Sequence, residues 1–279
     1  MTDRLVQTRP TGHGRARGLV SSRTSGARVQ ARSFAPSDEL GSVVAAYWTG
    51  AWDLRGQVPH VTELLGDPCV HFVFEQGDGE HAGSRVVGVW TRLWRRTLQG
   101  QGRVRGVKLR PGAVRAFVDE PAFRLSNQIT PLRSVFGDEA DALHDAVWKH
   151  EQDGLAFELI EGWLRSRRCR HEPVSQAVAL VERIVSDPEI TTVEALSTAS
   201  GHRVRALQRL FRDWVGASPK WVIRRNRLQE VALRIEKGEL LSLAALAAEL
   251  GYTDQAHLAR DFKRVVGKSP SAFAASVHR

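Results

Sequence analysis

The chain has 279 residues, of which 42% are hydrophobic and 25% are charged, an ordinary composition for a globular protein with room for two domains. Its two cysteines lie a hundred residues apart and its apolar runs are short, so neither a disulfide framework, a cysteine metal site nor a membrane span is predicted. The formal net charge of +9 raises the expectation of a phosphate-bearing partner, and a cytoplasmic location follows by default.

The positive charge is concentrated at the two ends of the chain. Residues 1–32 carry a net charge of +6 and residues 174–279 carry +5, whereas the stretch between them carries −2. The first stretch is rich in Arg, Gly, Ser and Thr and has no hydrophobic period, which predicts a disordered basic tail. Such a tail is either merely solvated or adds salt-sensitive affinity for DNA.

Short apolar runs broken by turn residues follow over residues 40–118. Residues 70–74 are typical of a strand bounded by turns, because Gly66-Asp67-Pro68 precedes them and Gly77-Asp78-Gly79 follows. Several such runs predict a small β-sheet or partial barrel. An amphipathic segment over residues 40–52 is expected to pack against it.

Helical periodicity replaces this pattern over residues 120–168. Residues 139–150 and 155–168 each place their apolar side chains on one face. An Arg-rich run then ends at Pro173, where we place the domain boundary. The predicted divisions are a tail (1–32), an N-terminal domain (33–172, with 40–118 rich in strands and 120–168 helical) and a C-terminal domain (174–279).

An internal repeat lies inside the basic C-terminal region. The thirteen residues from Leu207 to Pro219 recur 51 positions later, from Leu258 to Pro270, with seven identities. A short apolar helix precedes each copy and ends at Gly201 or Gly251, where glycine permits the positive φ of a helix end. Each copy therefore predicts a helix-turn-helix unit. The predicted elements are a first unit (190–216), a linker helix (219–237) and a second unit (242–267).

The predicted fold class is thus α+β: a small sheet or partial barrel with helices, followed by an all-α domain of two helix-turn-helix units joined by a long helix. The linker helix would span roughly 27–30 Å, against about 34 Å between neighbouring major-groove segments on one face of DNA. This length predicts that one chain places the second helix of each unit, its reading helix, in successive major-groove segments of double-stranded DNA.

Each reading helix has an apolar side and a side rich in cations and amides. Leu207 with Phe211, and Leu258 with Phe262, stand at i and i+4 and are predicted to face inward. The opposite sides suit DNA, because Arg pairs with guanine and Gln with adenine in the major groove. Predicted base contacts are Arg205, Gln208, Arg209, Gln255, His257 and Arg260. Predicted phosphate contacts are Arg203, Arg212, Lys263 and Arg264.

The C-terminal region resembles the AraC/XylS family of transcription regulators. The resemblance rests on the two units, their Gly-x-Ser-Pro endings and the turn Gly251-Tyr252-Thr253-Asp254-Gln255. It implies a sequence-specific DNA-binding regulator, an activator that works with RNA polymerase, with the predicted base contacts on groove-facing sides. Ala256 departs from the family pattern, in which a polar DNA contact often stands there.

The N-terminal part resembles an uncharacterised domain that often precedes this DNA-binding region. The matching residues include Tyr47-Trp48, Asp67-Pro68-Cys69 and Arg110-Pro111-Gly112. Such domains are taken to be sensory or dimerising, so a small-molecule effector and a homodimer are expected.

Two other functions are compatible with the sequence. The N-terminal domain could instead be an enzyme or small-molecule carrier with DNA binding attached as control, and the whole chain could be a nonspecific nucleic-acid binder. However, the sequence has no nucleophile-base-acid arrangement, His-x-His pattern or phosphate-cradling loop. No catalytic residue, metal or cofactor is therefore predicted, and the protein is not expected to be an enzyme.

Overall fold

The computed structural model describes residues 19–22, 29–78, 82–169, 171–239 and 242–277. Its strands are β1 (Leu19–Ser22), β2 (Val29–Phe34), β3 (Val44–Leu54), β4 (His60–Leu64), β5 (His71–Gly77), β6 (Gly83–Val87), β7 (Trp94–Leu98), β8 (Gly100–Leu109) and β9 (Ile129–Pro131). Its helices are α1 (Leu132–Phe136), α2 (Glu139–Lys149), α3 (Asp153–Arg167), α4 (Glu172–Ser186), α5 (Val193–Ser200), α6 (Val204–Leu210), α7 (Pro219–Glu236), α8 (Leu243–Glu249), α9 (Gln255–Val266) and α10 (Pro270–Val277).

The strands form two open, antiparallel sheets. The larger has the order β2-β3-β8-β5-β6-β9 and the smaller has the order β1-β4-β7. Helices α1 to α3 follow the sheets, and the remaining helices form the C-terminal region. This arrangement confirms the predicted α+β class.

Two predictions about the start of the chain are wrong. Part of the predicted disordered tail forms strands, since β1 pairs with β4, and β2 with β3; the other residues of 1–32 lie outside the described ones. Residues 44–54 do not pack on the sheet as a separate segment but form β3, bonded to β2 and β8. The reason is that pairing with distant strands satisfies backbone groups whatever the local apolar pattern.

Two tryptophans lie over glycines of β8 and pack in a cluster that includes Leu98 of the smaller sheet. Trp48 stands opposite Gly106, and Trp52 opposite Gly102. A Cβ atom on either glycine would come within 2.2 Å of the facing indole ring. Glycine is therefore required at both positions so that the rings can lie against the strand.

The hydrophobic core is continuous from the larger sheet into the C-terminal region. Phe72 of β5, Phe157 of α3 and Val181 of α4 belong to the same buried cluster as Phe211, which follows α6. The second half of α7 and helices α8 to α10 have a separate core, which includes Leu65 from the N-terminal domain. The first and second helix-turn-helix units thus pack in different surroundings.

None of the helices in the described part of the chain is both long and apolar enough to cross a membrane.

Candidate nucleic-acid interface

The first unit consists of α5, a tight turn and α6. Thr192 caps α5 by accepting a hydrogen bond from the Ala195 amide at 3.0 Å. Gly201 ends that helix with a φ of 71°, and Ser197 donates to the His202 carbonyl at 2.6 Å, which holds the turn against the helix. Helix α6 continues into a π-helical turn, Phe211–Val215. These two segments together are the first reading helix.

The second unit repeats this construction with α8 and α9. Ser242 caps α8 through the Ala245 amide at 3.2 Å, and Gly251 adopts a φ of 67°. Helix α9, the second reading helix, has an additional cap, because Asp254 accepts from the His257 amide at 2.6 Å. Asp254 therefore fixes the first turn of this helix, where two of the predicted base contacts lie.

A Gly-x-Ser-Pro ending closes both reading helices in the same way. Gly216 and Gly267 have φ values of 86° and 82°. Ser218 then caps α7 and Ser269 caps α10, each with a Ser Oγ to amide distance of 3.2 Å. Helix α7, the linker helix, has 18 residues and is therefore about 27 Å long.

The reading helices divide into buried and exposed sides as their sequence pattern predicts. Leu207, Phe211, Leu258 and Phe262 are fully buried. The six predicted base contacts are all exposed: Arg205, Gln208, Arg209, Gln255, His257 and Arg260. Whether they touch DNA stays a prediction.

The side chains predicted to touch DNA differ in how far they are engaged within the protein. No hydrogen bond or ion pair to another described residue is made by the side chains of Arg205, Gln208, Arg209, Gln255 and Arg260, or by those of Arg203 and Lys263. By contrast, Arg212 Nε donates to Asp213 at 2.8 Å, and Arg264 lies 3.6 Å from the Asp261 carboxylate. The His257 ring packs edge-on against Tyr252 with 5.2 Å between ring centres.

A group of polar residues behind the second reading helix was not predicted from the sequence. Asp261 is buried, and its Oδ2 accepts hydrogen bonds from Arg224 Nε at 2.7 Å and from the Tyr252 hydroxyl at 3.3 Å. Burial, together with the negative charge of Asp261, raises the pKa of Tyr252 to about 12. The sequence does carry one sign of this group. Asp261, next to Phe262 in the second copy of the repeat, stands where the first copy has Leu210.

The linker helix also contacts the N-terminal domain through polar groups. Arg225 Nε donates to the Gly66 carbonyl at 2.9 Å and its guanidinium lies 3.8 Å from Asp67. Lys108 of β8 binds the same carboxylate at 2.5 Å. Burial opposes ionisation of Asp67, but the two cations outweigh it and hold its pKa well below the usual range. The linker helix is thus anchored to a turn between two strands.

The described residues contain no group of three or more His, Cys, Asp or Glu side chains placed to hold a metal ion.

Comparison with protein families matches two regions of the chain. Residues 196–276 match a helix-turn-helix domain family, of the AraC type, and residues 32–131 match a domain of unknown function, DUF6597. The C-terminal match covers most of the first unit, the whole linker helix and the whole second unit, so both repeats fall within one matched domain.

Two curated relatives match about a third of the chain. An uncharacterised helix-turn-helix transcriptional regulator of Haemophilus influenzae is 31% identical over 100 residues, which are 36% of this chain and 32% of the relative. The probable transcription factor PqrA of Proteus vulgaris is 28% identical over 81 residues, 29% of this chain and 66% of that protein. The chain thus spans about a third of the first relative and 66% of the second.

The solved structures that resemble this chain do so with low sequence identity and low TM-scores. A probable AraC family transcriptional regulator from Rhodopseudomonas palustris is 26% identical, with a TM-score of 0.31 over 35% of this chain and 93% of its own. ToxT from Vibrio cholerae is 10% identical, with a TM-score of 0.40 over 90% of this chain and 98% of its own. Both TM-scores lie below 0.5, so neither likeness supports a conclusion about this chain.

Proposed function

We propose that the protein is a transcription regulator that binds DNA sequence-specifically and activates transcription, because residues 196–276 match a helix-turn-helix domain family. One observation carries the proposal. Two reading helices, built alike, each bury a Leu and a Phe and expose Arg and amide or imidazole side chains on the opposite side. If these helices only formed the solvent-exposed surface of a helical bundle, their exposed sides would not need to carry matching side chains.

The chemistry of the exposed groups supports base reading in the major groove. Arg209 and Arg260 occupy the same position of the two repeats, and neither is paired within the described structure. An unpaired guanidinium can donate two parallel hydrogen bonds to guanine O6 and N7, and the Gln208 and Gln255 amides suit adenine. We assign Arg205 and His257 to bases as well, because they lie in the first turns of their helices.

The remaining cations suit phosphate contacts that position the domain. Arg203 precedes the first reading helix, and Arg212, Lys263 and Arg264 follow the base-reading positions. Phosphate contacts supply affinity that depends on salt but carry no sequence information. With about 27 Å of linker helix between the units, we propose that both reading helices occupy successive major-groove segments.

The same proposal assigns a role to the N-terminal domain. We propose that it senses a small-molecule effector or mediates a homodimer, and that the regulator acts with RNA polymerase on DNA in the cytoplasm. Its support is physical contact: Arg225 joins the linker helix to the turn at Gly66 and Asp67, and the larger sheet shares its core with the first unit. A conformational change in the sheet can therefore reach a reading helix through side chains that pack against one another.

Selection of bound duplexes from a random library tests the proposal. The full chain should enrich two short motifs separated by about one helical turn, 10–10.5 base pairs. A reporter under a promoter that carries the selected site should then be expressed more strongly with the protein than without it. Binding without any enriched sequence would overturn the proposal and favour a nonspecific nucleic-acid binder.

A further inference from the structure

The second reading helix carries a buried carboxylate at a position where the first carries leucine. Asp261 and Leu210 are equivalent in the repeat, yet Asp261 is only 6% exposed. A buried charge is costly unless it is paired and hydrogen-bonded. Arg224 of the linker helix and the Tyr252 hydroxyl supply that pairing at 2.7 and 3.3 Å. The second reading helix is therefore held to the linker helix by a directional polar contact as well as by apolar packing.

The same contacts continue to the first unit. The Arg227 guanidinium lies 3.9 Å from the centre of the Tyr252 ring, and Arg227 also donates to the Thr191 carbonyl at 3.3 Å. Thr191 directly precedes Thr192, the cap of α5. In addition, the turn of the second unit packs on the same residue, since a Cβ atom at Gly251 would lie 3.0 Å from Thr191 Cβ. The residue that precedes the first helix of the first unit thus contacts the turn of the second unit.

We propose, on the basis of the proposed DNA binding, that these residues set the distance and angle between the two reading helices. The positioning cluster consists of Arg224, Arg227, Tyr252 and Asp261. Its members act through the helices they hold and need not touch a base. They determine which half-site spacing the protein accepts, whereas the exposed residues determine which bases it prefers.

The physical reason is that apolar packing tolerates small shifts better than a buried ion pair does. Hydrogen bonds weaken steeply once distance and angle depart from their optimum, so Arg224 and Asp261 favour one arrangement of α7 and α9. A change of one base pair moves a half-site by about 3.4 Å and rotates it around the duplex by about a tenth of a turn. A rigid pair of units rejects such a site, and a looser pair accepts it.

The decisive measurement is how the affinity for DNA depends on the spacing between the two half-sites, determined separately from the base preference. The two half-sites selected by the wild-type chain are placed in duplexes with spacers from two base pairs shorter to two longer. For Asp261→Asn and Arg224→Met we expect affinity at the preferred spacing to fall about tenfold and affinity at shifted spacings to fall less. The preferred bases within each half-site should stay the same, and Arg224→Lys should restore part of the spacing preference.

The chain offers a matched control in a second ion pair of the linker helix. Arg234 of the linker helix pairs with Glu249 of α8 at 2.5 Å, but this pair is solvent-exposed and does not reach the reading helix. Glu249→Gln changes the charge as Asp261→Asn does. Its spacing preference should equal that of the wild type.

Milder variants keep the test decisive if Asp261→Asn does not fold. Tyr252→Phe removes only a hydroxyl, and Arg227→Met removes the contact to Thr191; both should weaken the spacing preference. Folded variants that lose affinity equally at every spacing, or that keep the wild-type spacing preference, would overturn this inference alone. A wild-type chain that selects no sequence at all would overturn the proposed function, and this inference with it.

Discussion

Arg212 places its guanidinium carbon 5.2 Å from the centre of the Phe123 ring, so the first reading helix ends against the N-terminal domain. The same guanidinium donates to Asp213 at 2.8 Å. A predicted phosphate contact is therefore held by an aromatic ring on one side and neutralised by a carboxylate on the other. The Asp213 carboxylate therefore competes with DNA for the positive charge of Arg212.

Removing the competing carboxylate should strengthen binding to DNA of any sequence. For Asp213→Asn we expect tighter binding to cognate and random duplexes alike, because the carboxylate that competes with phosphate for the Arg212 guanidinium is lost. Fluorescence anisotropy at fixed salt measures it. The double variant Arg212→Gln/Asp213→Asn should show no gain over Arg212→Gln. A gain that persists without Arg212 would assign the effect to charge alone.

Replacing an arginine that reads bases should lower specificity as well as affinity. Arg209→Ala and Arg260→Ala are each expected to lose about 1–3 kcal/mol at the selected site and to relax the preference at one base pair. Lys263→Gln is the matched comparison, since Lys263 is an exposed cation of the second reading helix. It should weaken cognate and random binding equally and reduce the salt dependence by about one ion. Equal losses from Arg260→Ala on both kinds of DNA would exclude base reading by that residue.

The tryptophan-over-glycine pairs predict which glycines tolerate a methyl group. Gly106→Ala should destabilise the fold by about 1–3 kcal/mol, because its Cβ would fall 2.2 Å from the Trp48 ring. Gly162 of α3 is the control: it is exposed, and a Cβ there meets nothing within 4 Å. Gly162→Ala should stabilise the protein by about 0.5–1 kcal/mol. Urea unfolding followed by tryptophan fluorescence distinguishes the two, and similar effects would contradict the packing described for Trp48.

Acid should weaken the N-terminal domain through His71. Burial, reinforced by Lys108, lowers the pKa of His71 to about 4. The neutral ring is therefore favoured in the folded state, and its contribution is complete above the unfolded pKa of about 6.5 and is lost as the pH falls towards 4. Between pH 7 and pH 5 this loss amounts to about 2 kcal/mol. For His71→Gln the free energy of unfolding should change less over that interval, and an unchanged pH dependence would refute the role of this histidine.

The helix-turn-helix units could be predicted because their signals are local. Gly201, Gly251 and the Ser-Pro steps mark helix ends through backbone conformation and capping, which a few neighbouring residues decide. The burial of Leu207 and Phe211 follows from their spacing on one helix. The exposed sides of the reading helices then follow from the same periodicity.

Features that depend on distant partners could not be predicted. Strand β2 has a weak apolar pattern and is specified by its pairing with β3, whose partner residues lie 13 to 23 positions further along the chain. Aspartate is usually a surface residue, and the burial of Asp261 is made favourable by its contacts with Arg224, 37 residues away, and with the Tyr252 hydroxyl. The positioning cluster was missed for this reason, although the substitution of aspartate for leucine within the repeat marked the position.

The continuity of the main core has a consequence for building chimeras. Val178 and Ile184 of α4 and Phe211 of the first unit are buried in the same cluster as Phe72 and Phe157 of the N-terminal domain. A graft that joined residues 174–279 to a foreign sensor would expose this apolar surface and favour aggregation. An exchange point inside the linker helix exposes apolar surface as well, because Leu65 of the N-terminal domain lies in the core of the second unit. The unit of modular reuse is thus the whole chain rather than its C-terminal region.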